Sequence, residues 1–120
     1  MILMSQELES IYDQYMSNLQ KCLPNVDPNL VHRVMYLERK LSSEYIQEPQ
    51  VILIIEYKSN VKMDRKLYDL REKFSLEAEN TNKHNVLFAM SRMKLDKIKQ
   101  IASDDDIVKI SGNASPIIRS

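Results

Sequence analysis

Residue types that could carry chemistry are sparse in this sequence, and their spacing fits no standard reaction. Asp104, Asp105 and Asp106 are the first candidates for a metal site, because carboxylates bind divalent cations. Consecutive aspartates point in different directions, and they lack the alternating ligands, turn glycine and distal glutamate of a calcium loop. We therefore expect a solvated turn between a helix and a strand, with weak divalent binding as the alternative.

The candidate nucleophiles and acid–base groups also lack partners at a useful spacing. His32 and His84 are far apart and neither belongs to a ligand-spaced pair, so we expect surface or hydrogen-bonded histidines. Cys22 is the only cysteine. We expect it to be a small buried hydrophobe, the alternative being a nucleophile or an intermolecular bridge, because a catalytic thiol needs a neighbouring base. No serine lies in a G-x-S-x-G elbow. The sequence predicts a protein that is not an enzyme.

Composition argues against several further classes. The single glycine, Gly112, lies near the C-terminus, so no glycine-rich loop can cradle a phosphate and no cofactor is expected. Lys plus Arg and Asp plus Glu both number 17, whereas a nucleic-acid partner usually requires a basic excess. No stretch approaches the roughly 20 apolar residues of a membrane helix. With one cysteine and no signal-like start, we expect a cytoplasmic protein.

Periodic apolar residues predict two helices in the first part of the chain. An apolar stripe at three- and four-residue spacings predicts a helix over about residues 5–23, with Ser5 as its N-cap. Asp27 suits the N-cap of a second helix, because a proline follows it at the first helical position. Two helices joined by about four residues normally pack as an antiparallel hairpin, which we expect over residues 1–48.

The rest of the sequence alternates strand and helix patterns. The continuous apolar run at 51–55 predicts a central strand covered on both faces. We expect the helical hairpin to cover the second face, with a second subunit as the alternative. The last strand is predicted to end in a turn at 112–113. The predicted elements are a strand at 51–55, a helix at 62–74, strands at 76–80 and 86–92, a helix at 94–103 and a strand at 107–111.

This β-α-β-β-α-β order predicts an α+β fold in which a ferredoxin-like domain follows the hairpin. The domain would span residues 49–113, with a four-stranded antiparallel sheet, and a C-terminal tail would span 114–120. RNA-binding sheets of this kind stack bases on exposed rings, but here the third strand carries only Phe88. The apolar surplus of the sheet is better explained by contact with protein than with nucleic acid.

Four segments of this domain carry a family resemblance. Residues 93–102 resemble a short second helix, and residues 103–110 an acidic turn and final strand. Residues 51–57 resemble a first strand, and residues 86–90 the strand before the second helix. Together they make the region 51–116 similar to the subtilisin-propeptide-like inhibitor family.

The resemblance implies a partner and a binding segment. In that family the sheet docks on two surface helices of a subtilisin-like serine protease, and the segment after the last strand lies in the substrate cleft as an added strand. The resemblance thus implies a non-enzymatic protein-binding module, a free-standing inhibitor or folding chaperone. The alternative is a structural or regulatory homo-oligomer, such as a homodimer, formed through the hairpin or the sheet. The implied partner-binding residues are Ala114, Ser115, Pro116, Ile117, Ile118, Arg119 and Ser120.

Overall fold

The computed structural model describes residues 2–41 and 48–116 and has an α+β fold. In this part of the chain, four helices accompany a four-stranded sheet whose neighbouring strands are all antiparallel. The elements in chain order are α1 (Ile2–Cys22), α2 (Pro28–Leu41), β1 (Gln50–Tyr57), α3 (Met63–Lys73), β2 (Glu77–Asn80), β3 (Val86–Arg92), α4 (Leu95–Ala102) and β4 (Ile107–Ser115).

The sheet has the strand order β2-β3-β1-β4, which puts its two most apolar strands at the centre. The outer edge of β4 does not face solvent along its whole length, because the loop before α2 pairs with it. The Ile110 N–H donates to the Asn25 carbonyl at 2.6 Å, and the Asp27 N–H donates to the Ile110 carbonyl at 2.8 Å. This short parallel pairing shields part of an edge that would otherwise be open to strand addition.

One face of the sheet is covered by helices and forms the core. Along β1, alternate residues from Val51 to Tyr57 are buried, as the two-residue period of a strand requires. Helices α2, α3 and α4 all contribute buried side chains to the same cluster. We call this side the covered face. Its main members are Val51, Leu53, Ile55, Tyr57, Ala78, Leu87, Ala89, Ile110 and Ala114.

Helix α2 is fixed to the sheet domain by both packing and hydrogen bonds. Its start is as predicted, since the Asn29 N–H donates to the Asp27 carboxylate at 2.9 Å. At its other end, Glu38 accepts the Leu95 N–H at 2.7 Å, which caps α4 where Lys94 provides no side-chain cap. The residues of α2 buried against the sheet domain are Leu30, Val31, Val34 and Leu37.

Helix α1 is held much less extensively. It begins at Ile2, three residues before the predicted cap, so the prediction of Ser5 as its N-cap is wrong. Its contact with α2 includes the Tyr15 hydroxyl, 3.0 Å from Nδ1 of His32, with the two rings edge to face. The N-terminal half of the apolar stripe remains largely uncovered. The exposed residues there are Leu8, Ile11 and Tyr12.

Strand β4 extends further than the sequence predicts. The expected turn at 112–113 is wrong, because the strand continues to Ser115 and stays paired with β1. Gly112 has φ of +146°, and a Cβ atom there would lie 1.9 Å from the Ile52 carbonyl oxygen. The glycine thus permits close approach of two strands rather than a chain reversal.

Candidate protein-docking face

The second face of the sheet carries a strip of apolar side chains that no described helix covers. Strand β1 contributes Ile52 and Ile54, and β3 contributes Phe88 and Met90. Ile54 is 45% exposed and the other three are half-buried, and none of the four is part of the buried core. We call these four side chains, with the polar residues that flank them on the same side of the sheet, the open face.

This arrangement corrects the expectation that the helical hairpin covers the second face of the sheet, while cover by a second subunit stays a prediction. The covering helices, α2 among them, lie on the other face, and α1 packs on α2. Helix α2 is held there by Arg33, whose Nε donates to the Ala114 carbonyl at 3.2 Å, and by the cap that Glu38 gives to α4. The open face is therefore the largest departure of the structure from the sequence prediction.

Strand pairing sets the positions of the four apolar side chains. Phe88 lies directly opposite Ile54, and Met90 lies opposite Ile52. Side chains opposite each other on antiparallel strands are about 5 Å apart, and successive pairs on one face are about 7 Å apart along the strand. The four side chains therefore form one contiguous apolar strip across the two central strands.

Charge is distributed unevenly across the open face. At one border β2 presents the exposed carboxylates Glu77 and Glu79, opposite Met90 and Phe88 respectively. At the other border β4 presents a basic and polar row beside β1. This β4 row consists of Lys109, Ser111 and Asn113, which pair with Glu56, Ile54 and Ile52. The face is acidic along β2, apolar at its centre, and basic to neutral along β4, with the exposed Glu56 and Arg92 at opposite ends of the two middle strands.

The turn between β2 and β3 rises at one end of the open face and makes it concave. A shallow depression of about 380 Å³ lies there, bounded by Ile54 and Phe88 on its floor and by residues of the turn at its rim. The Thr81 hydroxyl donates to the Val86 carbonyl at 2.8 Å and accepts the Lys83 N–H at 3.1 Å. These bonds hold the turn in a defined shape, so the concavity belongs to the fold.

A cluster of ionisable side chains lies where β1 ends and β4 begins. Nζ of Lys66 lies 2.8 Å from Asp104 and 2.9 Å from Asp106, and 5.7 Å from the centre of the Tyr57 ring. A depression of about 320 Å³ adjoins it, lined among others by Asp69. Two carboxylates already engage this ammonium group, so the cluster joins α3 to the turn before β4 rather than offering a free cation to a ligand.

The same cluster shifts the ionisation of its members. Partial desolvation works to lower the pKa of Lys66, but hydrogen bonds to Asp104 and Asp106 outweigh it and raise that pKa above its ordinary 10.5. The hydrogen bond from Lys66 lowers the pKa of Asp106 below its ordinary 3.8. Burial raises the pKa of the Tyr57 hydroxyl above its ordinary value. Each shift favours the protonation state found at neutral pH.

The other residues singled out in the sequence are scattered. Cys22 is exposed at the end of α1, so the prediction that it is a buried hydrophobe is wrong. His32 is exposed and hydrogen-bonded to the Tyr15 hydroxyl, and His84 is exposed in the turn before β3. Within residues 2–41 and 48–116, no three His, Cys, Asp or Glu side chains are grouped so that they could hold a metal ion. In the same ranges, no helix has the length and apolar character needed to cross a membrane.

The predicted tail is only partly free of the sheet. Ala114 and Ser115 are the last residues of β4, and Ala114 is buried opposite Val51. Pro116 follows the strand and is exposed. A segment available to another protein would therefore begin at Pro116. The remaining predicted binding residues, Ile117, Ile118, Arg119 and Ser120, lie outside the described residues.

No sequence pattern identifies the open face as a site, although one signal of it is present in β3. The alternation of Val86, Phe88 and Met90 with Leu87 and Ala89 placed them on opposite sides of β3 correctly. No pattern in the sequence distinguishes which of the two sides receives the helices. Comparisons of the chain with protein-family models, with curated proteins and with solved structures found no match.

Proposed function

We propose that this chain is a non-enzymatic protein-binding module that uses the open face of its sheet to contact a partner. Most concretely, it acts as a propeptide-like inhibitor or folding chaperone of a subtilisin-type serine protease. The observation that carries this proposal is the uncovered apolar strip of Ile52, Ile54, Phe88 and Met90. Large contiguous apolar patches are uncommon on the surfaces of monomers and often mark sites of protein contact.

The arrangement of the sheet supports this proposal. Neighbouring strands are antiparallel in the order β2-β3-β1-β4, and the helices α3 and α4 follow β1 and β3 along the chain. We infer a ferredoxin-like domain from this order, with α1 and α2 as an antiparallel hairpin extension beside β4. In this arrangement one face of the sheet is left to bind, while helices hold the other face rigid.

A protein fits the open face better than a nucleic acid does. The strip contains one ring, Phe88, whereas base recognition on such sheets stacks several aromatic residues. Its borders carry both signs of charge, with Glu79 on one side and Lys109 on the other. A mixed, largely aliphatic surface suits another folded polypeptide, such as a pair of surface helices. We expect this partner in the cytoplasm.

The chain after β4 supplies the second part of the proposed contact. Ala114 is paired with Val51 on one side and accepts a hydrogen bond from Arg33 on the other, so it cannot leave the sheet without cost. We propose that residues 116–120 enter the protease cleft as an added strand, with backbone hydrogen bonds providing affinity. The open face would hold the protease surface beside the cleft.

The test is inhibition of a subtilisin-type protease by the intact protein. Residual protease activity is measured while the protein is titrated in, for the intact chain and for the Ile54→Glu variant. We expect inhibition by the intact chain and at least about tenfold weaker inhibition by Ile54→Glu, because a carboxylate would be desolvated in the contact. The matched control is Tyr68→Glu, since Tyr68 is 63% exposed on α3, away from the open face.

A chain lacking residues 116–120 separates the two parts of the proposed contact. We expect it to bind the protease through the open face, by calorimetry, but to lose inhibition because nothing occupies the cleft. If the intact chain neither binds nor inhibits the protease, a subtilisin-type protease is ruled out as the partner. Equal loss with Ile54→Glu and Tyr68→Glu would rule out the open face as the contact surface.

A second candidate function is that of a structural or regulatory homo-oligomer. The observation that favours it is the opposite charge of the two borders of the open face, with carboxylates along β2 and Lys109 along β4. A surface of this kind can be complementary to itself. A formal net charge of zero also gives little repulsion between copies.

A further inference from the structure

We propose that two copies of this chain associate through their open faces, related by a twofold axis that runs parallel to the strands. This inference deepens the second candidate function, on which it rests, and does not depend on the protease proposal. It follows from the positions of the charged and apolar residues on the open face, and it specifies both the occupant of that face and its orientation. The resulting contact is isologous, so the same residues serve both copies.

The geometry of the sheet decides the orientation. A twofold axis along the strands places β4 of one copy over β2 of the other, and β1 over β3. Residues at the same level along the strands then meet, so Ile54 faces Phe88 and Ile52 faces Met90. The apolar strip is thereby covered by itself, as in the aligned packing of two sheets in a sandwich.

Polar residues at the borders are complementary in this orientation. Glu79 of one copy faces Ser111 of the other, and Glu77 faces Asn113, so each carboxylate meets a hydrogen-bond donor. Lys109 lies opposite Glu56 of its own β1 and one residue pair along β4 from Ser111, about 7 Å away, so its long side chain reaches the facing Glu79 as well as Glu56. The acidic border of each copy thus lies over the basic border of the other.

The other twofold orientation in the plane of the sheet is unfavourable. An axis perpendicular to the strands would place β2 over β2, and Glu77 and Glu79 would face carboxylates of the second copy. Like charges brought together in a contact strongly disfavour it. The charge pattern therefore selects the axis parallel to the strands.

The size of the open face sets the expected affinity of dimerisation. The four strands lie about 4.8 Å apart, and about three residues of each strand point to the open face. The contact would therefore bury on the order of 1,000 Å², summed over both copies. This lies at the low end of specific interfaces and is typical of weak or reversible association. We therefore expect a monomer–dimer equilibrium with a dissociation constant on the order of 10 µM or weaker.

Sedimentation equilibrium of the full chain over 1–300 µM, roughly the range that brackets this affinity, tests the proposal. We expect reversible dimerisation, weakened at least about tenfold by Glu79→Lys and by Lys109→Glu, because each brings like charges together. The double variant Glu79→Lys with Lys109→Glu should regain most of the affinity, since the opposite charges face each other again. Circular dichroism and thermal unfolding establish that each variant is folded.

Two further variants identify which surface of the chain forms the dimer contact. Ile54→Glu should abolish dimerisation, whereas Leu8→Glu, on the exposed stripe of α1, should leave it unchanged. The proposal is overturned if the intact chain stays monomeric over this range, if Leu8→Glu rather than Ile54→Glu abolishes the dimer, or if the double charge reversal fails to restore it. None of these outcomes involves a protease, so they are independent of the inhibition assay.

Discussion

The two faces of the sheet are built from nearly the same residue types but differ in how far their side chains are buried. Ile55 is fully buried on the covered face, while its neighbour Ile54 is 45% exposed on the open face. Both belong to one continuous apolar run in β1, and both would favour a strand. The difference lies in what packs against them, because three helices share the covered face. Burial here is decided by the neighbouring elements rather than by residue type, and the uncovered residues are available for a partner.

The largest expected effect comes from truncating the same residue type on each face. Ile55→Ala should lower the free energy of unfolding by about 3 to 4 kcal/mol, because it leaves a cavity among packed side chains. Ile54→Ala should lower it by less than about 1 kcal/mol, since solvent already reaches this side chain. Urea denaturation at low protein concentration, where the chain is monomeric, measures both. Similar losses for the two variants would mean that the open face is covered.

A second effect concerns the pairing of β1 with β4, which joins the apolar strip of the open face to its β4 border. Gly112→Ala should destabilise the protein by about 2 to 4 kcal/mol, because the added methyl group would meet the Ile52 carbonyl and φ is positive. Ser111→Ala, one residue earlier and half-buried, is the matched control and should change little. A neutral Gly112→Ala variant would show that β4 does not approach β1 as closely as described here.

A smaller effect is expected in the dependence of stability on pH. It arises from the Lys66 cluster, which lies at one end of the covered face. The lowered pKa of Asp106 means that the unfolded chain binds more protons at acid pH, so this contribution to stability is present above pH 3.8 and lost below it. The raised pKa values of Lys66 and Tyr57 give contributions that are present below pH 10 and lost at higher pH. Stability from this cluster should therefore be greatest between about pH 4 and pH 10.

Lys66→Met tests this assignment, because it removes the cation that both carboxylates bind. Urea denaturation at pH 7, 4 and 3 should show lower stability at pH 7 and a shallower decline toward pH 3 than in the unaltered chain. Lys99→Met, at an exposed position on α4, is the control and should leave the pH profile unchanged. An unchanged profile for Lys66→Met would mean that the ion pairs do not contribute to stability.

Much of the fold could be predicted from local sequence signals. Asp27 followed by proline specified the start of α2, and the alternation from Val86 to Arg92 specified both the bounds of β3 and its two sides. In each case the signal lies within the element itself, in a cap or in a two-residue period. Such signals do not depend on the rest of the chain.

What could not be predicted depends on contacts between distant segments. Gly112 resembled a turn residue, although its role is to allow close approach to Ile52 on another strand. Cys22 was expected in the core because of its type, but it lies exposed at the last position of α1. The open face was missed for the same reason, since Ile52 and Ile54 are no less apolar than Ile55. Periodicity specifies which residues share a face, and only the tertiary arrangement specifies which face is covered.

The central claim is that the open face is an uncovered surface that binds protein, and two methionines allow it to be measured directly. Met90 lies half-buried on the open face, whereas Met93, three residues later, is 1% exposed in the core. Oxidation of each methionine by dilute peroxide is followed by mass spectrometry, with half-buried Met35 on α2 as an internal reference. In dilute solution we expect Met90 to be oxidised much faster than Met93. Raising the protein concentration or adding the protease should slow oxidation of Met90 and leave Met35 unchanged. A rate for Met90 that equals that of Met93 in dilute solution, or that responds to neither addition, would contradict the claim.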